Sequence, residues 1–334
     1  MTSDSNKKIL AIKRSDSESS IDELFGYTAS DVENEGKIEG SNYDFTQLLE
    51  TFENSLGHLH IFVPTDILNP IEINSFIFET RRFQDDISYS NCLSNFLGKL
   101  IQNSYLSGHN NFHLDLTNMN PPDSLMRAVE CCEERPLRMT INGNVGAYFG
   151  SLSENIFAKI YGDCGYLLGN GSSNMNVEIT GDVNFKLASS SNNFDGIING
   201  DIAWDSLYSA IDGKIKVNGK CGANFAYCAK NLNATISDVK NLRDFCYHIE
   251  NSQIKTENRN VIANFLDHLR SNGKYDSIFG DIDLKNSVFF NDDKSWQKYV
   301  RDNSNSNLYL HENIASSVIF ICDDGKETEV IKFI

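Results

Sequence analysis

The hydrophobic pattern in the middle of the chain repeats every 19 residues around a glycine. A branched apolar residue stands two positions before each repeat glycine, and an apolar residue or cysteine stands two positions after it. Polar residues separate these positions, as is typical of short strands that bury one face. The repeat glycines are Gly143, Gly162, Gly181, Gly200 and Gly219. The pattern predicts strands that turn at each glycine.

The regular spacing predicts a solenoid in which one coil stacks on the next. A helical solenoid is excluded, because two helices need about 33 to 45 residues per repeat. Coils of strands would lie about 4.8 Å apart and share parallel hydrogen bonds. A period of 19 is not a multiple of six, which favours a right-handed coil over the left-handed hexapeptide type. The predicted fold class is mainly β: a right-handed parallel β-helix of about six coils over residues 137–240.

The segments on either side of the solenoid are predicted to form α/β caps. Such caps would cover the free strand edges at the ends of the solenoid. In the N-terminal cap, residues 43–136, the pattern predicts strands at 58–64, 73–79 and 112–116 and helices at 86–106 and 123–132, the last with Asp123 as its N-cap. In the C-terminal cap, residues 241–334, it predicts helices at 259–270 and 295–302, an irregular extra coil at 278–284, and strands near 307–310, 316–322 and 328–333.

The first 42 residues are rich in serine and acidic side chains and are expected to form a disordered tail. Four serines lie among acidic residues and are candidates for phosphorylation, namely Ser15, Ser17, Ser19 and Ser20. A tail that only keeps the chain in solution is the favoured interpretation.

Composition and charge argue against several classes of function. The 334-residue chain is 40% apolar and 11% aromatic, which is a globular composition, and its formal net charge is −17. This acidity argues against nucleic acids and anionic membranes as partners. The sequence contains neither an apolar stretch of about 20 residues nor a signal-peptide pattern. Its eight cysteines follow no disulfide or CxxC spacing, so we expect reduced thiols in a cytoplasmic protein.

Two repeats carry additional glycines. They read Gly143-Asn-Val-Gly146-Ala-Tyr-Phe-Gly150 and Gly162-Asp-Cys-Gly165-Tyr-Leu-Leu-Gly169. This pattern resembles the GXGXG β-helix domain, which ends the large subunit of glutamate synthase and recurs in one of the subunits of formylmethanofuran dehydrogenase. The resemblance covers residues 137–240, and the added glycines are mostly replaced in the later repeats. It implies a β-helix with a structural role that packs other modules together, and it transfers no catalytic residue.

A column of acidic residues directly follows the repeat glycines. Asn144 begins it, Asp163, Asp182 and Asp201 continue it, and Lys220 ends it. Stacked carboxylates could hold Ca²⁺ or another hard cation. The favoured interpretation is that these residues stabilise turns after glycine, because Asp and Asn commonly do so. The sequence therefore predicts no metal and no cofactor.

A second column, four positions after the glycines, contains Tyr166, Phe185 and Trp204 between Ala147 and Ala223. An internal aromatic stack is favoured. The alternative is an exposed aromatic ladder, which would suit a sugar or a protein partner.

The cysteines and histidines give weaker signals. Cys164 and Cys221 lie three coils apart, about 14 Å, which is too far for one metal ion, and core thiols are favoured. The adjacent Cys131 and Cys132 predict one buried and one incidental thiol rather than a redox pair. His58, His60 and His113, with Asp85 and Asp86 near in sequence, are weighed as a metal or acid–base site, but half-buried structural histidines are favoured.

The sequence contains no recognisable catalytic constellation, which favours a protein that is not an enzyme. We expect a non-catalytic scaffold or accessory subunit that docks another protein. One alternative is a carbohydrate-binding or carbohydrate-active β-helix, which exposed aromatic and acidic columns would favour. Another is a filament assembled by end-to-end stacking of coils, which helix-containing ends would oppose.

Overall fold

In a computed structural model of the protein, eleven strands within the described residues hydrogen-bond to one another in sequence order. The described residues are 43–57, 63–241, 245–246, 249, 252–256, 288–290, 317–321 and 327–332. The strands are β1 (Asn111–Asp115), β2 (Leu137–Asn142), β3 (Glu154–Tyr161), β4 (Ser173–Ile179), β5 (Asn192–Ile198), β6 (Ile211–Cys221), β7 (Lys230–Val239), β8 (Gln253–Thr256), β9 (Val288–Phe290), β10 (Ser317–Ile321) and β11 (Glu327–Lys332). Neighbours from β1 to β10 pair in parallel, and β10 pairs with β11 antiparallel.

The strands β2 to β7 form the regular solenoid. Paired residues are 19 positions apart, so Ile160 lies between Ile141 and Ile179, except that the spacing becomes 18 at the end of β6, where Lys220 pairs with Asp238. The apolar residues that precede the repeat glycines are buried throughout, and they form one ladder inside the core. The prediction of a parallel β-helix with 19-residue coils is confirmed, while its right-handedness stays a prediction.

A second ladder follows the glycine in each coil. Val145, Cys164, Val183, Ile202 and Cys221 bridge one another in parallel and are all buried. These two ladders therefore place one buried apolar residue or cysteine on each side of the repeat glycine, as the sequence pattern predicts.

On the third side of each coil, every second residue has a left-handed backbone angle. In one coil the φ angles of Leu167, Gly169 and Gly171 are between 61° and 65°, and the residues at these positions in later coils are similar. Their amide groups alternate in direction: Leu167 N donates to Phe185 O at 3.0 Å in the following coil, and Gly169 N donates to Phe149 O at 2.9 Å in the preceding one. Neighbouring coils are thus joined on this side as well.

Among the described residues, three α-helices precede the solenoid: α1 (Thr46–Ser55), α2 (Pro70–Thr80) and α3 (Tyr89–Leu106). Helix α3 confirms the helix predicted at 86–106. The strand predicted at 73–79 is wrong, because this segment lies in α2. A capping box begins α2: Asn69 Oδ1 accepts from Glu72 N and Glu72 Oε2 accepts from Asn69 N, both at 2.9 Å.

Helix α2 covers one end of the solenoid. Asn74 Oδ1 accepts from Asp115 N at 2.8 Å, and Arg81, just after the helix, donates to Asp115 O at 3.3 Å. These side chains bond to backbone groups of β1 that have no strand beside them. Apolar residues of all three helices join the solenoid interior in one continuous core.

The helix predicted at 123–132 is wrong. This segment forms an irregular coil, in which Ser124 N donates to Ala147 O at 2.6 Å and Ala128 N donates to Ser151 O at 2.8 Å. Asp123 does not cap a helix, and its Oδ1 accepts from Ala147 N at 2.7 Å instead. The side chain of Asp123 thereby bonds to the first regular coil.

Strands predicted at 112–116, 316–322 and 328–333 are confirmed as β1, β10 and β11. Outside the described residues lie the tail 1–42 with its four candidate serines, most of the strand predicted at 58–64, both C-terminal helices, the extra coil and the strand near 307–310. Within the described part of the chain, none of the helices combines the length and apolar character needed to span a bilayer.

Candidate binding groove

An aromatic ladder lies on the outer surface of the solenoid. It consists of Tyr148, Tyr166, Phe185 and Trp204, whose successive ring centroids are 5.2, 5.0 and 5.1 Å apart. Trp204 is 51% exposed, and the others are partly exposed. The preference for an internal stack is therefore wrong. Tyr166 and Trp204 lie in turns and Phe185 in a bend, so the side-chain alternation of a strand does not set the direction of these rings.

Stacking covers most of the ring faces in this ladder. The planes of Tyr166 and Phe185 differ by 3° and those of Phe185 and Trp204 by 20°, so these rings turn their edges outward. The coil after Trp204 carries Ala223 at the same position. No ring of that column therefore covers the far face of Trp204.

The acidic column lies beside the ladder and bonds to the backbone. Asn144 Oδ1 accepts from Asp163 N at 2.8 Å, Asp163 Oδ1 from Asp182 N at 2.9 Å, and Asp182 Oδ1 from Asp201 N at 2.7 Å. This bonding fits the interpretation that these residues stabilise turns. Among the described residues, no group of three or more His, Cys, Asp or Glu side chains could hold a metal ion.

Lysines neutralise the C-terminal end of this column. Lys240 Nζ lies 2.6 Å from Asp201 Oδ2, and Lys220 N donates to Asp201 Oδ1 at 2.7 Å. The hydrogen bond from the Lys240 side chain, followed by the one from the Lys220 backbone, lowers the pKa of Asp201. The same bond to Asp201 raises the pKa of Lys240.

Between the acidic column and the aromatic ladder runs an open depression, which we call the ladder groove. Its first half, of about 720 Å³, is lined by Asp85, Asp86, Ile87, Asp123, Asp163 and Tyr166, among others. Its second half, of about 590 Å³, is lined by Asp163, Asp182, Asp201, Trp204 and Lys240, among others. Asp163 and Cys164 line both halves, so the two halves meet at this coil, and the ladder rings that line them are Tyr166 in the first half and Trp204 in the second.

The described cysteines and His113 can be compared with the prediction that they are structural. Cys164 and Cys221 are buried, and burial raises the pKa of both thiols. Cys131 is buried while Cys132 is exposed, although neither lies on a helix. His113 is half-buried and lies with Nε2 3.1 Å from Asn142 Nδ2. His58 and His60 lie outside the described residues, and Asp86 accepts hydrogen bonds from Ser88.

Sequence reasoning missed an amide ladder, twelve positions after the repeat glycines. Asn174 Nδ2 donates to Asn155 Oδ1 at 3.1 Å, and Asn193 Nδ2 donates to Asn174 Oδ1 at 2.9 Å. Each of these residues has a φ between 51° and 57°, a conformation that asparagine tolerates better than most residues. The signal was present in the sequence, because these asparagines share the 19-residue period.

The fold and the groove define a class of protein, a parallel β-helix that presents an open surface groove. No family model, no curated protein and no solved structure matches the chain in comparisons with known proteins. Its function must therefore be inferred from the chemistry of its own residues.

Proposed function

We propose that the protein is a non-catalytic scaffold that docks another protein along the ladder groove. The observation that carries this proposal is the outward position of Tyr166, Phe185 and Trp204 beside a column of carboxylates. Exposed apolar surface with a polar rim is typical of protein-binding sites, and aromatic residues are enriched there. The resemblance to GXGXG domains, whose role is to pack other modules together, supports the same function.

The groove chemistry supports binding better than catalysis. The carboxylates of Asp123, Asp163, Asp182 and Asp201 each accept a backbone hydrogen bond, which holds them in place as parts of the coil. General acid–base catalysis requires a group near the reacting atoms whose pKa suits proton transfer. The pKa of Asp201 in this column is shifted downward, away from neutral pH, chiefly by the hydrogen bond from Lys240.

A cytoplasmic location is part of the proposal. The described cysteines are free thiols, and Cys92, Cys131 and Cys164 among them are buried. Burial raises the pKa of Cys92 to about 12 and that of Cys131 to about 11, which keeps both in the unreactive thiol form. Such thiols suit a reducing compartment.

Affinity capture with a matched control tests the scaffold proposal. Tagged full-length protein is compared with a ladder variant, Tyr166→Ser/Phe185→Ser/Trp204→Ser, and with a control, Tyr208→Ser/Tyr227→Ser. The control disrupts a second stack, with ring centroids 5.0 Å apart, that does not line the groove. Circular dichroism confirms folding of both variants. We expect a stoichiometric protein partner with wild type and control but not with the ladder variant. Recovery of the bait alone, or equal capture by the ladder variant, would contradict the proposal.

Carbohydrate binding is the second candidate, and Trp204 is the observation that favours it. Sugars stack on aromatic faces, and the exposed Trp204 lines a cavity that Asp182 and Asp201 also line. Fluorescence titration with oligosaccharides tests it, with a Trp204→Phe variant to remove the contribution of this residue. Saturable quenching that disappears in the variant would support it. The filament has less support, because the side chains of Asn74 in α2 and of Arg81 just after it bond to the β1 backbone at one end of the solenoid.

A further inference from the structure

We infer that the segment docked in the ladder groove is an extended, basic stretch of polypeptide. This inference rests on the proposed scaffold function and names the chemistry of its partner. It follows from three features of the groove: its charge, the way the chain's own lysine occupies it, and its aromatic wall.

The first half of the groove is strongly acidic. Four carboxylates line it, those of Asp85, Asp86, Asp123 and Asp163, and no Lys or Arg is among its lining residues. Ile87, which is fully exposed, and the partly exposed ring of Tyr166 supply apolar surface beside these charges. The net charge of −17 adds a long-range attraction for a basic partner. The complementary ligand combines positive charge with apolar groups.

Lys240 shows how a side-chain cation occupies the acidic column. Its ammonium group binds Asp201 Oδ2, while Asp201 Oδ1 keeps its bond to the backbone of the next coil. Asp163 and Asp182 make the same Oδ1 bond and are exposed. No described cation pairs with either of them. Their Oδ2 atoms therefore present two places for Lys or Arg side chains of a partner, although Asp182 also interacts electrostatically with Lys240.

The aromatic wall fits an extended segment better than a compact ligand. The stacked rings expose edges along several coils, and the far face of Trp204 accepts a guanidinium group by cation–π stacking. Coils about 4.8 Å apart place Asp163 and Asp201 two steps, or about 10 Å, from each other. An extended chain rises about 3.3 Å per residue, so about three residues span the distance from Asp163 to Asp201. The partner is thus one extended strand that lies along the solenoid axis.

A peptide-binding experiment with charge-neutral variants tests this inference. The probe is a fluorescein-labelled twelve-residue peptide of three Arg-Ser-Leu-Gly repeats, titrated with full-length protein and read by fluorescence anisotropy. A peptide with Glu in place of Arg is the charge-reversed probe. The variant is Asp163→Asn/Asp182→Asn, in which the amide oxygen keeps the backbone hydrogen bond, as Asn144 does in the first coil of the same column.

The control variant removes the same amount of charge elsewhere. Asp195→Asn/Asp212→Asn also keeps its hydrogen bonds, since Asp195 Oδ1 accepts from Lys214 N and Asp212 Oδ1 from Asn231 Nδ2, both at 2.8 Å. Neither residue lines the groove. Any loss of affinity that comes from net charge alone would appear equally in both variants.

We expect the basic peptide to bind wild type and control alike, more weakly as salt rises, and about three- to tenfold more weakly to the Asp163→Asn/Asp182→Asn variant. The charge-reversed peptide should not bind. Equal binding by both variants, absence of binding, or binding of oligosaccharides alone would overturn the inference. If the Asp163→Asn/Asp182→Asn variant still captures a cellular partner that the ladder variant loses, the scaffold function stands. The inference that the docked segment is basic would then be wrong.

Discussion

At the scale of single residues, the repeat glycine is required by contact between coils. The φ of Gly181 is not left-handed, but a Cβ there would lie 2.6 Å from Gly162 O and 2.7 Å from Gly162 C. These are backbone atoms of the preceding coil, which can move only if the ladder on both sides moves with them. Replacement by alanine therefore strains the solenoid rather than the glycine itself.

We predict that Gly181→Ala lowers the free energy of unfolding by about 1 to 3 kcal/mol, as overpacking of a close contact does. Gly98→Ala is the matched control, because Gly98 lies within α3 and an added Cβ there would meet nothing within 4 Å. We expect it to stabilise the protein by about 0.5 to 1 kcal/mol. Urea unfolding followed by circular dichroism measures both. Equal effects of the two substitutions would contradict the close-contact explanation.

Asp201 gives a prediction about pH. Its pKa is lowered in the folded chain, chiefly by the hydrogen bond from Lys240. A carboxyl of this kind stabilises the fold above its unfolded pKa of about 4, and the contribution is lost as the pH falls through its folded pKa. Asp201→Asn should therefore be less stable than wild type at neutral pH, by a difference that shrinks in acid. Urea unfolding at pH 7 and pH 3 checks this, with Asp195→Asn as control, and a difference independent of pH would disprove it.

Sequence alone predicted the positions of the residue columns but not the direction of every side chain. The apolar columns on both sides of the glycine are buried as their alternation indicates. Tyr166 and Phe185 lie in a turn and a bend, where residues such as Leu167 and Lys186 adopt left-handed angles, so the alternation of a strand does not set their direction. Leucine and lysine disfavour this conformation, so their side chains give no sign of it. The groove, which depends on that direction, could not be predicted.

At the scale of elements, a helix-start signal in the N-terminal region outweighs the strand preference of the residues that follow it. The aromatic and branched residues of 73–79 favour a strand, yet the segment is helical. Asn69, Pro70 and Glu72 are an N-cap, a first-turn proline and a capping-box partner. Ile73, Phe76, Ile77 and Thr80 are buried at helical spacing. This helix-start signal predicts α2 where the composition of the segment does not. The coil at 123–132 carries no comparable signal, because its shape comes from bonds to Ala147 and Ser151.

We predict that Asn69→Ala lowers the free energy of unfolding by about 1 kcal/mol, because it removes the acceptor for Glu72 N at the start of α2. Glu72→Gln is the matched control, since glutamine fills the same place in a capping box and should change stability little. Chemical denaturation of both variants provides the measurement. If Glu72→Gln were as destabilising as Asn69→Ala, the charge of Glu72 near the helix start would be more important than the cap.

At the scale of the whole molecule, the solenoid consists of coils that contact mainly the coils before and after them. The stability of such a protein is approximately a sum over coils and over the interfaces between neighbours. Ser173 pairs with Asn192 on one side and with Glu154 on the other, so residues 173–191 are one complete repeat. Their removal would bring β3 against β5 in the same register, with Tyr166 facing Trp204 and Asp163 facing Asp201.

We predict that deletion of residues 173–191 leaves a folded protein that still unfolds cooperatively. Its free energy of unfolding and its urea m-value should both fall, because one coil and one interface are lost and less surface is exposed on unfolding. Deletion of residues 173–182 alone is the control. It removes about half a coil and brings side chains of different columns together, so we expect no cooperative transition. Circular dichroism and urea unfolding distinguish the two deletions. Should the 19-residue deletion also abolish cooperative unfolding, the coils would not be interchangeable units, and contacts beyond nearest neighbours would have to stabilise the solenoid.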